Sequence, residues 1–349
     1  AIFGGKNPHP QHLVVGGVTC VLDVLNPSRL GEFLYRSKEV NDFVERALIP
    51  DVVLAAKYYK DEGLAGVGGG VKNYLCVGGF PLDDEGKTFL FPRGFVKNRN
   101  LVKALPIDEA KITEEALHSW YQDDKPQHPY EGTTIPKYTG YDQEGRLKGN
   151  EKYTWCKAPR YEGEPCEVGP LARMIVGYAA GDKKIKALIE GTLKATGLPA
   201  TALFSTLGRT AARAIETKLV GDQIETWVNE LVANIKKGDV RTWTPCDVPK
   251  EGQGRGMTEP PRGSLSHWIR IKDHKIANYQ AIVPSTWNCS PRDKSNKRGP
   301  YEESLIGTRL AKADQPLEIL RTIHSFDPCM ACAVHVIDPG GKIHQFRVA

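Results

Sequence analysis

Apolar and polar positions along the 349-residue chain change their period several times. From Pro27-Ser28 to about Tyr59, apolar side chains recur at Leu30, Phe33, Leu34, Val40, Phe43, Val44 and Leu48. That three-to-four spacing lays one stripe along a helix. Pro50 lacks an N–H and its ring crowds the preceding turn, so it is expected to bend this helix or divide it in two. Residues 1–26 and 61–165 lack the helical period. In the second stretch, short apolar runs such as NYLCVGGF and TFLFPRGFV, set among Gly, Pro and Asp, predict strands joined by turns. Helices return over Pro170–Ala180 and Asp182–Thr196, with Gly181 and Gly197 as punctuation. The longest pattern runs from about Ala200 to Lys237, where Leu203, Leu207, Ala211, Ala214, Ile215, Leu219, Ile224, Trp227, Val228, Leu231 and Ile235 form a broad stripe that Gly238 ends. This stripe is expected to be buried core. After 240, SHWIRIKDHKIANYQAIVPSTW alternates like a hairpin with Asp273-His274 near its turn, and Leu317–Ser325 predicts a short helix or an extended segment. There is no internal repeat. The pattern predicts an α+β fold over 1–349, mainly long packed helices with strand-rich peripheral segments.

Composition narrows the class. A hydrophobic fraction of 40% and a charged fraction of 26% are those of an ordinary globular protein. No apolar stretch approaches the ~20 residues of a membrane span, so membrane contact is expected only through a partner. The chain opens AIFGGKNPHPQ, without Met or a leader, and is expected to be the interior of a longer protein. The net charge of +5 is small, and its one local cluster, Arg292, Lys294, Lys297 and Arg298, has no interleaved aromatics. A solvated loop is expected there, and no nucleic-acid partner. GVGGGVKN (66–73) lacks the spacing of a phosphate-binding loop and predicts a flexible connection that binds no nucleotide.

Six of the eight cysteines, Cys20, Cys76, Cys156, Cys166, Cys246 and Cys289, stand singly, as small buried hydrophobes commonly do. The other two, Cys329 and Cys332, stand three apart, with His335 three further on. Two thiols on one turn can face a single soft or borderline metal ion. A haem attachment site needs His directly after the second Cys, and Ala333 and Val334 intervene. A redox dithiol, part of a structural zinc site, and two cysteines without a metal stay open on the residues alone. The zinc reading lacks a second Cys-x-x-Cys to complete four ligands.

The segment DPCMACAVH (327–335) resembles the C-terminal signature of the large subunits of NiFe hydrogenases. GGKNPHPQ, HSWY (118–121), KAPRYEGEP (157–165), FSTLGRTAARAIE (204–216), PPRGSLSHWI (260–269), VPSTWN (283–288) and EILRTIHSFDPC (318–329) resemble further stretches of that family in the same order. VVGGVTC (14–20) is similar to uptake enzymes on the periplasmic face of the membrane. The resemblance implies a large-subunit-like fold and reversible oxidation of dihydrogen to protons and electrons. It implies a nickel–iron centre whose iron carries carbon monoxide and cyanide, with Cys329 a terminal nickel ligand and Cys332 a bridge. Arg262 and Ser285 match residues that hydrogen-bond the cyanides, and a guanidinium and a hydroxyl are suited to anionic acceptors. Arg262 and Asp327 match a pair above the open side of the metals. Catalysis is thereby expected from Arg262, Asp327 and Cys329. His335 matches a magnesium ligand that acts with a backbone carbonyl at about Ala281. An iron–sulfur small subunit is the implied partner, since the chain has no cysteine set for such clusters. A maturation protease and nickel-insertion factors are implied too. So is a place on the periplasmic side of the cytoplasmic membrane, reached by export with the small subunit.

Two departures stand against that pattern. The family's other Cys-x-x-Cys, toward the N-terminus, has no counterpart here, and the carboxylate of the proton relay belongs to the same region. The chain thus holds half a nickel site and is expected to bind no complete centre by itself. It also continues past His335 as VIDPGGKIHQFRVA (336–349), a tail of the kind that a dedicated protease removes in the family; His344 within it is then no ligand. Cys289, four residues after Ser285, is expected to be a bystander. The competing functions are a non-catalytic relative inside an electron-transfer complex and a zinc-binding structural protein.

Overall fold

The computed structural model describes residues 13–18, 26–122, 124–144, 146–148, 152–329, 334–337 and 343–346. Strands β1 (Leu13–Val14) and β2 (Gly17–Val18) form a minimal antiparallel pair. Helix α1 (Pro27–Phe43) starts where the Asn26 side chain accepts from the N–H groups of Ser28 and Arg29, satisfying donors that have no partner within the helix. Pro50 does divide this helix, through a π-helical turn over Val44–Leu48. The Ile49 N–H reaches back to the Val44 carbonyl, and α2 (Ile49–Tyr58) follows with Pro50 in its first turn, where a missing N–H costs nothing. A short α3 (Lys60–Leu64) completes the group.

Next come β3 (Tyr74–Cys76), β4 (Gly79–Pro81), β5 (Phe89–Phe91) and β6 (Gly94–Val96), nested so that β3 pairs with β6 and β4 with β5. β7 (Ile112–Glu115) and β8 (Ala158–Tyr161) form a further antiparallel pair. α4 (Pro170–Ala179) and α5 (Lys183–Thr196) lie where expected. Asp182 caps α5 through the Ile185 N–H, and Gly197 ends it at φ 67°, a left-handed value that glycine adopts without strain. Ser205 caps the long α6 (Thr206–Lys236), which a 3-10 turn over Ala200–Leu203 precedes.

The expected hairpin is β10 (Leu265–Lys272) and β11 (Lys275–Ile282), preceded by a strand the pattern did not predict, β9 (Glu251–Thr258). Their sheet order is β11-β10-β9. Asp273 and His274 both take positive φ, 51° and 58°, as a two-residue turn with the right-handed twist of its strands demands. Three short helices follow, α7 (Pro284–Asn288), α8 (Pro300–Leu305) and α9 (Leu317–His324), and then β12 (Val334–Ile337) paired with β13 (Ile343–Phe346).

Two apolar cores share one wall. Along β3, Tyr74 and Cys76 point into the core formed with α4, α5 and α6, while Leu75 between them points into a second core with Trp268, Ile282 and Trp287. On β6, Val96 joins the first core and Phe95 the second. The two-residue alternation of a strand thereby serves both sides, so this strand pair is central to the α+β architecture. The α6 stripe is core through Val228, but Leu231 is already 38% exposed and the last turns carry few partners.

The 66–70 loop differs from the flexible connection expected of it. Arg99 donates to the Gly69 and Gly70 carbonyls at 3.0 and 3.2 Å, and Arg209 to the Gly68 carbonyl at 2.6 Å. Gly68 lies at φ 74°, and a Cβ there would come within 2.1 Å of Thr206 Oγ1. The loop is packed down, and it turns carbonyls toward cations where a phosphate site would present amides. Three members of the basic cluster face carboxylates: Arg292 faces Glu302, Lys297 faces Glu164 and Arg298 faces Glu303.

Candidate metal-binding site

The segment leading to Cys329 hangs from α6. Arg213 donates to the Ser325 carbonyl at 2.9 Å, and the Arg209 guanidinium lies 3.7 Å over the Phe326 ring. The same ring also meets Tyr301, at 4.8 Å between centroids. Burial lowers the Arg213 pKa, and the charge of Asp327 opposes the shift. Asp327 itself sits at φ 55°, unusual for a residue before proline. Two bonds hold it there: its N–H donates to the His324 carbonyl at 2.9 Å, and Arg262 Nε donates to its carbonyl at 2.8 Å. Arg262 Nη2 also faces the Asp327 carboxylate at 3.3 Å. Two residues further along the chain from Asp327 comes Cys329, an exposed residue.

Arg262 is placed by a buried ionic frame. Arg173, on α4, chelates Glu216 of α6 at 2.6 and 2.7 Å and donates to Glu259 at 2.9 Å. Its remaining bonds go to the carbonyls of Pro260 and Pro261, the two residues before Arg262. Glu259 in turn accepts from the Val77 N–H at 2.8 Å and from the Ser264 hydroxyl at 2.5 Å. Burial pushes its carboxyl up, and Arg173 works against that by stabilising the charged form.

The end of the PPRG turn closes on α4 through two glycines. A Cβ on Gly169 would meet the Arg262 carbonyl at 2.8 Å, and one on Gly263 would meet the Gly169 nitrogen at 2.6 Å and Val168 Cγ2 at 2.5 Å. Gly263→Ala, at φ 132°, is therefore expected to cost about 1–3 kcal/mol and to displace Arg262. A urea midpoint unchanged from wild type would contradict it.

Arg262 and Asp327 are thus brought together, and Cys329 follows Asp327 by two residues in the chain. Ser285 lies half-buried in the first turn of α7, bound through its carbonyl to the Cys289 N–H at 2.8 Å, and is not bonded to that group. Ala281 is exposed on β11, an edge strand of its sheet, where alternate carbonyls point away from β10. The backbone of His335 pairs with Gln345, so the strand pair runs across the expected processing point after His335. Cys332 lies outside the described residues.

Among the described residues no group of three or more His, Cys, Asp or Glu side chains could hold a metal ion. One exposed cysteine, two residues along the chain from the carboxylate of an arginine–carboxylate pair, fits a single side of a thiolate-bound metal centre. The sequence reading missed Arg173, Arg209, Arg213, Glu167 and Glu259. Their signal was there: arginines inside apolar helical runs (PLARMIV, GRTAARAIE) must be paired to be buried.

The family described as nickel-dependent hydrogenase matches residues 1–335. The large chain of the quinone-reactive Ni/Fe-hydrogenase of Wolinella succinogenes is 50% identical over 363 residues, covering 100% of this chain and 62% of its own length. The uptake hydrogenase large subunit of Rhizobium leguminosarum bv. viciae is 46% identical, covering 98% of this chain and 62% of its own. Among solved structures, a NiFeSe hydrogenase variant from Desulfovibrio vulgaris Hildenborough superposes with a TM-score of 0.80 at 40% identity, over 96% of this chain and 66% of that one. The chain spans about three fifths of the length of the curated relatives it matches, 62% for the two named.

Proposed function

The chain belongs to the nickel-dependent hydrogenase family, and on that premise we propose that it supplies the C-terminal portion of a catalytic large subunit that oxidises dihydrogen reversibly to protons and electrons. A nickel–iron centre, its iron carrying carbon monoxide and cyanide, would be held in part by Cys329 and Cys332 and would supply the cleavage of dihydrogen when bound. The observation that carries the proposal is the Arg262 guanidinium, anchored on Asp327 two residues before the exposed Cys329. Asp327 uses Nε and Nη2, which leaves Nη1 to donate to an anionic acceptor such as a cyanide nitrogen. The Ser285 hydroxyl offers a second donor of the same kind. The sulfur of Cys329 is of the chemical type that can bind nickel and exchange a proton.

His335, with the Ala281 carbonyl, is assigned to a magnesium ion. An iron–sulfur small subunit takes the electrons, and the name of one relative, quinone-reactive, supports a quinone as their acceptor. Among the described residues no helix is long and apolar enough to cross a membrane; we assign the membrane contact to partner subunits. We assign the protein to the periplasmic side, exported with its small subunit, and its loading to nickel-insertion factors and a protease that trims the tail after His335.

The test is metal analysis of the full-length protein with its partner, beside Cys329→Ser. Stoichiometric nickel and iron with dihydrogen-dependent dye reduction are expected in the wild type, and loss of nickel and of dye reduction in the variant. Zinc in place of nickel would sink the proposal, and nickel without dye reduction would favour a non-catalytic relative.

A further inference from the structure

Cys156 and Cys289, 133 residues apart in sequence, meet in space with their sulfurs 2.9 Å apart. That is longer than the ~2.05 Å of an S–S bond and shorter than the roughly 3.5–4.0 Å at which non-bonded atoms come to rest. Both thiols are free and only partly buried, whereas Cys76 and Cys166 are sealed in the two cores.

The two backbones that carry the pair are held from both sides. The Ser119 hydroxyl donates to the Cys156 carbonyl at 2.5 Å, and the Cys156 N–H donates to Thr154 Oγ1 at 3.1 Å. Cys289 caps α7, its N–H on the Ser285 carbonyl. Arg160 then clamps the segments that follow each cysteine. It reaches the Pro159 carbonyl on one side, and Ser290 Oγ, the Pro291 carbonyl and the Asp293 carboxylate on the other. Both Arg160 and Asp293 are only 4% exposed. Two thiols fixed in this way need to move less than ~1 Å to bond, and little freedom is left to lose in doing so.

We propose that Cys156 and Cys289 form a reversible redox pair, closing to an intramolecular disulfide by exchange with a low-molecular-weight disulfide and reopening with a thiol reductant. Contact with Cys289 lowers the pKa of the Cys156 thiol, while contact with Cys156 raises that of Cys289. Cys156 is therefore the attacking sulfur and Cys289 the resolving one. The Cys156 thiolate attacks one sulfur of the small disulfide, forms a mixed disulfide and expels the other half as a thiolate. Cys289 then gives up its proton, its sulfur attacks Cys156 Sγ, and the second half leaves as a thiol. The protein loses two electrons and two protons, and the small disulfide gains them as two thiols. The bond formed ties the end of α7, one helical turn from Ser285, to the segment before β8. None of this depends on a metal.

The test uses the full-length protein, reduced, desalted and exposed to glutathione disulfide, then alkylated and mapped by peptide mass spectrometry. The expected product is a cross-linked pair of peptides containing Cys156 and Cys289, two hydrogens lighter than the free peptides and separated again by dithiothreitol. In Cys289→Ser the resolving step is lost, so glutathione should remain on Cys156. Free, alkylated cysteines at both positions would overturn the proposal, as would a persistent glutathione adduct on the wild type without a cross-link, or no adduct on a folded Cys289→Ser. If that variant does not fold, the wild-type map decides alone.

Discussion

In the full-length protein, Arg262→Lys should reduce dihydrogen oxidation by roughly 10²–10³-fold while nickel and iron stay at their wild-type content. Pro260 and Pro261 are held by Arg173 through their carbonyls, so the backbone of the turn survives the change. What is lost is the fork. Arginine binds Asp327 with Nε and Nη2 and keeps a third nitrogen for the site. An ammonium offers a point charge that cannot hold both Asp327 acceptors in the same plane and still donate forward. The competing reading makes Arg262–Asp327 an ordinary ion pair. Both side chains are near 40% exposed, at 38% and 43%, and a pair like that contributes about 0–1 kcal/mol. The two readings separate in turnover and agree on folding. Near-normal turnover at normal nickel content would remove Arg262 from the active site, and loss of nickel along with activity would move its role to assembly.

What the sequence made legible was whatever depends on local period and punctuation. Asp182 and Gly197 bounded α5 because a cap and a left-handed residue act within one turn. The Asp273-His274 turn stood out because apolar and polar residues largely alternate on both sides of it. β9 was missed because EGQGRGMT carries almost no apolar alternation, and its strand exists only by pairing along β10 from Thr258 to Glu251. The 66–70 glycines suggested freedom, yet they are required for close packing; Arg99 and Arg209, which pin them, lie far away in sequence.

The site follows the same division. Arg262, Asp327 and Cys329 were singled out through family resemblance, and the fold pairs the first two. The frame beneath them was not, because a buried ion pair leaves no periodic trace: Arg173 lies 86 residues from Glu259, and Arg209 lies 42 from Glu167. Cys289 read as a bystander for the same reason, since only the fold brings Cys156 to it.

That frame yields the largest expected loss of stability. Arg209→Met should cost about 3–5 kcal/mol, because it removes one partner of a buried pair and leaves the other charge without compensation. Arg209 and Glu167 are 2% and 1% exposed and joined by two bonds, Nε to Oε1 at 2.7 Å and Nη2 to Oε2 at 2.8 Å. Methionine fills much of the same volume, so the loss reports on charge and hydrogen bonding more than on a cavity. Adding Glu167→Leu removes the stranded carboxylate, and the double variant should recover most of the loss. Recovery should stop short of wild type by about 1–3 kcal/mol, because the Gly68 carbonyl still lacks the donor it had at 2.6 Å. The Phe326 ring also loses the guanidinium stacked against it, so the approach to Cys329 should loosen even in the double variant. Urea midpoints of the full-length single and double variants measure the first two effects, and nickel content measures the third. A single-variant loss below about 1 kcal/mol would mean that water reaches Glu167 when Arg209 is gone, and the ionic frame would then not be what holds the motif to α6.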